Sequence, residues 1–297
     1  MNPIGLVSMQ FARPFGPEHF ALLPRIKGLG FDFLELLVPE KGEFELASMR
    51  RALAEAGLGV VLAARVNLQR NLTSAEAGPR QAGVDYLKYA VDCAVALGSD
   101  IVGGPLYGNP LVYAGRAPTP VSEAERLARF QRSVDGLGAA AAHAAAAKVR
   151  LAVEPLNRFE TDIISTARQG MELMQALPPS VGLLLDSFHM AMEEASMAEA
   201  IRLAGPRLLH FQANENHRGF PGTGSVPWPA VTQALVEVGY TGPLSLEPFR
   251  RRDERFGISF AQWRPPQENE DESLRASARF LREQLHLAKA APSRRTN

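Results

Sequence analysis

Four polar residues each stop an apolar run: Glu154 after RLAV, Asp186 after VGLLL, Gln212 after RLLHF and Glu247 after GPLSL. They are separated by 32, 26 and 35 residues. If the four runs are neighbouring strands of one parallel barrel, their C-terminal ends converge and the polar groups meet. Three unpaired carboxylates in one cavity would repel strongly, and a divalent cation relieves that repulsion while accepting carboxylate and carboxamide oxygens. Such an oxygen-rich set suits Mg²⁺, Mn²⁺ or Co²⁺ better than a structural zinc site. Each carboxylate taken alone fits a helix cap or an arginine partner equally well. It is the ordered set that points to a metal.

Further polar residues fall in the loops after these runs. His189 follows Asp186 by three positions, Glu160 follows Glu154 by six, and Arg218 follows Gln212 by six. All three side chains suit hydrogen bonding to the hydroxyls of a polyol, with surface pairing as the alternative for Glu160 and Arg218. His210 lies opposite in phase to Phe211 along its run, a place from which it can support Gln212 from inside the barrel.

The elements that must position these groups repeat one pattern, a short apolar run followed by a longer stretch of helical periodicity, the mark of βα units around a parallel sheet. Eight strands are expected: Ile4 to Met9, Phe31 to Leu36, Leu58 to Ala63, Ile101 to Gly104, Val149 to Val153, Val181 to Leu185, Arg207 to Phe211 and Pro243 to Leu246. Val84, Leu87, Val91 and Ala94 form one apolar helical stripe; Ile163, Ala167, Met171 and Met174 form another, as do Leu274, Ala278, Leu281 and Leu285. The alanine-rich stretch Gly136 to Lys148 continues a helix begun at Glu123, because alanine is the strongest helix former. His143 within it has no ligand partner at i+4 and reads as structural or exposed. A doubly wound sheet lacks support, since no Gly-x-Gly-x-x-Gly follows a strand. A single (β/α)8 barrel over residues 1–288 is expected, with 289–297 as a flexible tail. The proline-bearing stretches Gly103 to Pro120 and Pro248 to Gln267 are expected to be long loops on the active face.

The 297 residues, 46% hydrophobic and 22% charged, suit one large globular domain. Basic and acidic residues balance at 32 each, which removes the usual argument for nucleic acid or an anionic membrane as partner. Cys93 is the single cysteine, so an intrachain disulfide and a cysteine metal cluster are excluded, and its small apolar neighbours suggest a buried thiol. No signal-length apolar run follows a basic N terminus and no run of 18 apolar residues occurs, so a cytoplasmic chain is expected.

The segments EPLNRFE, LDSFHMAMEE, ENHRGFPGTG and GYTGPLSLEPF strongly resemble those of the ketose 3-epimerases, the D-tagatose and D-psicose (allulose) 3-epimerases of the xylose-isomerase-like TIM-barrel superfamily. The resemblance spans nearly the whole chain. It implies that Glu154, Asp186 and Glu247 bind Mn²⁺ or a related ion, that Glu160, His189 and Arg218 contact the sugar, and that Glu154 and Glu247 also transfer protons. It further implies a homodimer or homotetramer. One departure stands out: the family's fourth ligand is usually the second histidine of a His-x-His pair, whereas this chain has His210-Phe211-Gln212. The hydroxypyruvate isomerases resemble it there, with a His-x-Gln segment.

The reading is reversible epimerisation at C3 of a free ketose through an enediolate, with one ion per chain, Mn²⁺ first and Mg²⁺ or Co²⁺ as alternatives. Glu154 and Glu247 would act on opposite faces of C3. Alternatives are sugar or hydroxypyruvate isomerisation, a lyase acting on a 3-oxo-glycoside, and a sugar-binding protein without catalysis. The superfamily's endonucleases use a larger histidine-rich cluster, for which this chain has too few histidines near strand ends.

Overall fold

A computed structural model of the chain describes residues 2–108, 120–248 and 269–291. Eight parallel strands close into a barrel in sequence order: β1 (Ile4–Val7), β2 (Phe33–Leu37), β3 (Gly59–Ala63), β4 (Ile101–Gly104), β5 (Arg150–Val153), β6 (Val181–Asp186), β7 (Leu208–Gln212) and β8 (Leu244–Leu246). The closing pair sets Ile4 beside Leu244 and Leu6 beside Leu246. All eight expected strands are present. The first stops two residues short of Met9, because Ser8–Gln10 tightens into a 3-10 turn, while β6 and β7 run one residue further and carry Asp186 and Gln212 within the ladder.

The surrounding helices are α1 (Leu23–Gly28), α2 (Leu46–Glu55), α3 (Ala77–Leu97), α4 (Glu123–Ala146), α5 (Ala167–Met174), α6 (Ser187–Glu193), α7 (Met197–Ala204), α8 (Trp228–Glu237) and α9 (Glu270–Ala290). The alanine-rich stretch lies in α4 as far as Ala146, two residues short of the expected Lys148, and the N terminus of the helix is capped by the Ser122 hydroxyl accepting from the Glu125 amide at 3.2 Å. His143 points outward to Asp92, 2.7 Å away, and Cys93 is buried in α3. Most of the two long loops expected after β4 and β8, and residues 292–297 of the expected tail, lie outside the described residues; α9 itself continues through Lys289 to Ala290. Among the described residues no helix is long and apolar enough to cross a membrane.

Two cores follow from the two-residue period of a strand. The outward residues, such as Leu34, Leu36, Leu62, Leu151, Val153, Leu183, Leu185 and Phe211, pack against the helices, each large side chain contributing roughly 1.5–3 kcal/mol by leaving water. A second cluster fills the barrel: Phe33, Val61, Ile101, Ala152, Leu184 and Leu209. Gly5 on β1 makes room for it, since a Cβ there would stand 2.3 Å from the Phe33 ring.

This apolar floor dictates where the chemistry sits. Two positions on, the same strand face carries Glu35 after Phe33, Glu154 after Ala152 and Asp186 after Leu184, so a polar layer rests directly on the plug. On β7 the register against β6 shifts between Leu183 and Leu184, a bulge of the kind found beside active sites. Gly182 permits it, because a Cβ there would meet the Arg207 carbonyl oxygen at 2.3 Å.

Candidate active site

Above the plug lies a cavity of about 340 Å³ lined by Glu154, Glu160, His189, Gln212, Arg218 and Glu247, among others. Asp186, which is buried, reaches the same group through Arg218 and His189. Its two oxygens have separate duties. Oδ1 caps α6, accepting from the Phe188 amide at 2.8 Å, and takes the Asn214 side-chain amide at 2.9 Å. Oδ2 faces Arg218 and lies 3.7 Å from His189. The helix cap that an acid at a strand end can make is therefore present, and it occupies only one of the two carboxylate oxygens.

Arg218 joins two of the carboxylates. One guanidinium nitrogen donates to Asp186 and the other to Glu247 at 2.5 Å, while the planar group stacks over the Phe188 ring with 4.6 Å to its centroid. Arg218 itself has φ 58°, a left-handed conformation that costs a non-glycine residue energy and is held by its surroundings. Glu215 does the holding: fully buried, it accepts from the Gly222 amide at 2.8 Å, the Val226 amide at 3.2 Å and the Trp228 indole at 2.7 Å. Asn214 ties the neighbouring strand ends, its side-chain oxygen accepting from the Glu247 amide at 2.7 Å.

His189 is oriented by Asn157. The Asn157 backbone N–H donates to Nδ1 at 3.0 Å and its side-chain nitrogen lies 2.8 Å from the same atom. The Phe159 amide fixes the Asn157 carboxamide by donating to its oxygen at 2.9 Å, and Glu160 accepts from its nitrogen at 3.0 Å. Nδ1 is thus an acceptor, which requires the neutral imidazole, and burial lowers the pKa of the ring in the same sense. The proton resides on Nε2, which looks at Glu154 at 3.4 Å and Asp186 at 3.7 Å.

Sequence reasoning missed Glu35, which is fully buried in the middle of β2. Its Oε1 accepts from the Gln212 side-chain nitrogen at 2.9 Å; its Oε2 meets His210 Nε2 at 3.0 Å and the Ser245 hydroxyl. Burial alone would raise this carboxyl, but the attraction of His210 and the three hydrogen bonds hold it below the ordinary range. His210 therefore reaches Gln212 through Glu35. The signal in the sequence was a lone acid inside the otherwise apolar FLELL.

The donor set fits a divalent cation. Carboxylate oxygens of Glu154 and Asp186 stand within 4.8 Å of each other and of a ring nitrogen of His189. Glu154 Oε1 and Gln212 Oε1 are buried with no hydrogen-bond partner, a condition that normally costs free energy and that a bound ion removes. Because the Glu35 carboxylate can accept hydrogen bonds but not donate one, it fixes the Gln212 amide with nitrogen toward Glu35 and leaves the oxygen uncommitted. Electrostatics agree. Burial, with Glu247 and Asp186 nearby, pushes the Glu154 carboxyl well above its ordinary range. Glu247 is pushed up to about 8 by burial, against the opposing pull of Arg218. Burial disfavours the Arg218 charge, but Asp186 and Glu247 outweigh it and raise its pKa.

Comparison with known proteins agrees with this geometry. Residues 23–284 match the xylose isomerase-like TIM barrel family. The chain is 31% identical over 260 residues to a D-psicose 3-epimerase of Agrobacterium fabrum, covering 86% of each protein. It is 32% identical over 245 residues to an L-ribulose 3-epimerase of Mesorhizobium japonicum, covering 82% of this chain and 80% of that one. A solved structure of an L-ribulose 3-epimerase superposes with a TM-score of 0.89 at 28% identity, over 97% of this chain and 96% of the other. The chain belongs to the ketose 3-epimerases of the xylose isomerase-like TIM-barrel family.

Proposed function

We propose that this protein is a metal-dependent ketose 3-epimerase in which Glu154 and Glu247 exchange protons with C3 of the sugar. The observation that carries the reading is the pair itself: two carboxylates from strands three apart around the barrel line one cavity with Arg218 and His189. Inversion needs an acceptor on one face of C3 and a donor on the other. A carboxylate with a pKa near neutrality serves in both capacities, and burial moves both glutamates in that direction.

One glutamate takes the C3 proton, and the C–H electron pair shifts toward the C2 carbonyl to give an enediolate. The other glutamate then donates its proton to C3 from the opposite face. The two side chains finish with their protonation exchanged, ready for the reverse turnover. His189 donates from Nε2 to a substrate oxygen, and Arg218 supplies fixed positive charge where negative charge develops. Glu160, anchored by Asn157, accepts from a hydroxyl and orients the chain.

Glu154, Asp186, Gln212 and Glu247 would hold the ion, which when bound polarises the C2 carbonyl as a Lewis acid. His189 stays outside this ligand set because its cavity-facing nitrogen carries the proton. Four oxygen donors favour Mn²⁺ or Mg²⁺.

The test is turnover of neutral and acidic ketoses by Mn²⁺-loaded protein in D₂O. Deuterium at C3 with a C3-epimeric product is expected. Exchange and product only at C1 would replace epimerisation by isomerisation, and sugar binding without any exchange would leave a binding protein.

A further inference from the structure

The cavity wall opposite the β5 to β8 polar groups carries positive charge that epimerisation does not use. Arg65 follows β3 by two residues, on the active face of the barrel, and lines the same cavity as Glu154 and Glu247, together with Arg13 and Arg70. Arg70 is accounted for: it pairs with Glu40 at 2.6 Å and stacks on Tyr86, 3.9 Å from the ring centroid. Arg65 is different. Its backbone amide donates to the Tyr86 hydroxyl at 3.3 Å, but its guanidinium makes no ion pair or hydrogen bond among the described residues.

Half-buried guanidinium groups without an acidic partner are costly. Burial, and then repulsion from Arg13, disfavour the Arg65 charge; the attraction of Glu160 and Glu247 only partly offsets them. Those two carboxylates are already engaged, Glu160 with Asn157 and Glu247 with Arg218. The planar guanidinium fork matches an oxyanion in bidentate geometry. Among the described residues, then, no acid pairs with the Arg65 guanidinium, and a substrate can bring an anion to it.

We propose that the preferred substrate is a ketose carrying an oxyanion, a carboxylate or a phosphate monoester, at the end remote from C1, held by Arg65. The proposal rests on the epimerase reading and refines its substrate: a ketose acid remains a free sugar, a phosphate monoester would widen the class beyond free sugars, and neutral ketoses leave Arg65 without a counter-charge.

The experiment compares kcat/KM, read from deuterium entry at C3 in Mn²⁺-loaded protein, for D-fructose, D-fructuronate and D-fructose 6-phosphate. At least one anionic sugar should exceed D-fructose by about tenfold or more, the worth of one charge-assisted hydrogen-bonded contact. The carboxylate and phosphate arms show which oxyanion fits. Arg65→Met should cut the anionic-to-neutral ratio by about tenfold, mainly through KM. Equal or better turnover of D-fructose overturns the anion proposal and leaves the epimerase intact. If no ketose exchanges at C3, the epimerase reading falls, and equilibrium binding still decides the anion question. D-glucitol 6-phosphate or D-gluconate should then bind more tightly than D-glucitol, with the difference lost in Arg65→Met. Equal binding of all three overturns the proposal.

Discussion

The Glu35 carboxylate, two residues above the Phe33 plug, accepts a hydrogen bond from the Gln212 side-chain nitrogen at 2.9 Å and thereby decides which end of that amide faces the cavity. Groups that orient a ligand commonly govern metal affinity by 10- to 100-fold. Glu35→Gln, which can present either amide end to Gln212, should weaken Mn²⁺ binding by about 10-fold or more. Isothermal titration of the metal-free variant, with a thermal scan to establish that it folds, makes the comparison. Unchanged Mn²⁺ affinity in a folded variant would separate Glu35 from the metal centre.

Replacing Gln212 by histidine tests the chain's departure from the His-x-His pattern. Imidazole nitrogen favours later transition metals more than an amide oxygen does, so Gln212→His should raise the Co²⁺ to Mg²⁺ affinity ratio and shift product ratios if the ion moves. Parallel metal titrations of both proteins read this directly. A constant ratio, with residue 212 still at the ion in a crystal structure, rejects ligand tuning.

Glu247→Gln keeps the shape of the side chain but removes the carboxylate proposed to transfer a proton. Turnover should fall by at least ~10²-fold at saturating metal, since general acid-base catalysis commonly contributes ~10²- to 10⁴-fold. Kinetics must accompany a metal titration, so that low occupancy is not mistaken for loss of the base. Near-normal turnover at full occupancy would remove Glu247 from the chemistry.

The stability of the metal-free protein should depend on pH with a definite sign. Glu247 ionises near 4.5 in a solvated chain and is pushed up to about 8 when folded, and Glu154 is displaced in the same direction. Between these values the folded state keeps a proton that the unfolded chain has released. Stability from these groups is thus full below about pH 4.5 and is lost as the pH rises through 8. Urea denaturation at pH 6 and pH 8.5 should give the lower midpoint at pH 8.5, and Glu247→Gln should reduce the difference. A midpoint that rises with pH in the wild type and is unaffected by the substitution contradicts the assignment.

The tautomer of His189 is open to nitrogen NMR. With two Asn157 nitrogens directed at Nδ1, the labelled protein should show a protonated Nε2 and an unprotonated Nδ1 near neutral pH. The opposite pattern would turn the cavity-facing nitrogen into a metal ligand and withdraw the donor role.

Much of this arrangement was legible in the sequence because strands advertise themselves by where apolar runs stop. Glu154, Asp186, Gln212 and Glu247 each end such a run, and the barrel gathers strand ends. Glu35 was not legible in that way, since it interrupts an apolar run instead of ending one and becomes meaningful only when β2 faces β7 across the barrel. Asn157, Asn214 and Glu215 were equally hidden. Their work is done by hydrogen bonds whose partners depend on loop geometry, which residue spacing does not encode. Arg65 was invisible for another reason: an arginine just past a strand reads as surface until its side chain is found in the cavity with no acid paired to it among the described residues.

The apolar floor made by Phe33, Val61, Ile101, Ala152, Leu184 and Leu209 turns the barrel into a vessel with one opening. Under the proposed mechanism isotope traffic is then directional: a hydron held on Glu154 or Glu247 would trade with bulk solvent only toward the mouth, past whatever sugar is bound there. While the sugar stays, a label lifted from C3 would be trapped with it, to be washed out when the product leaves.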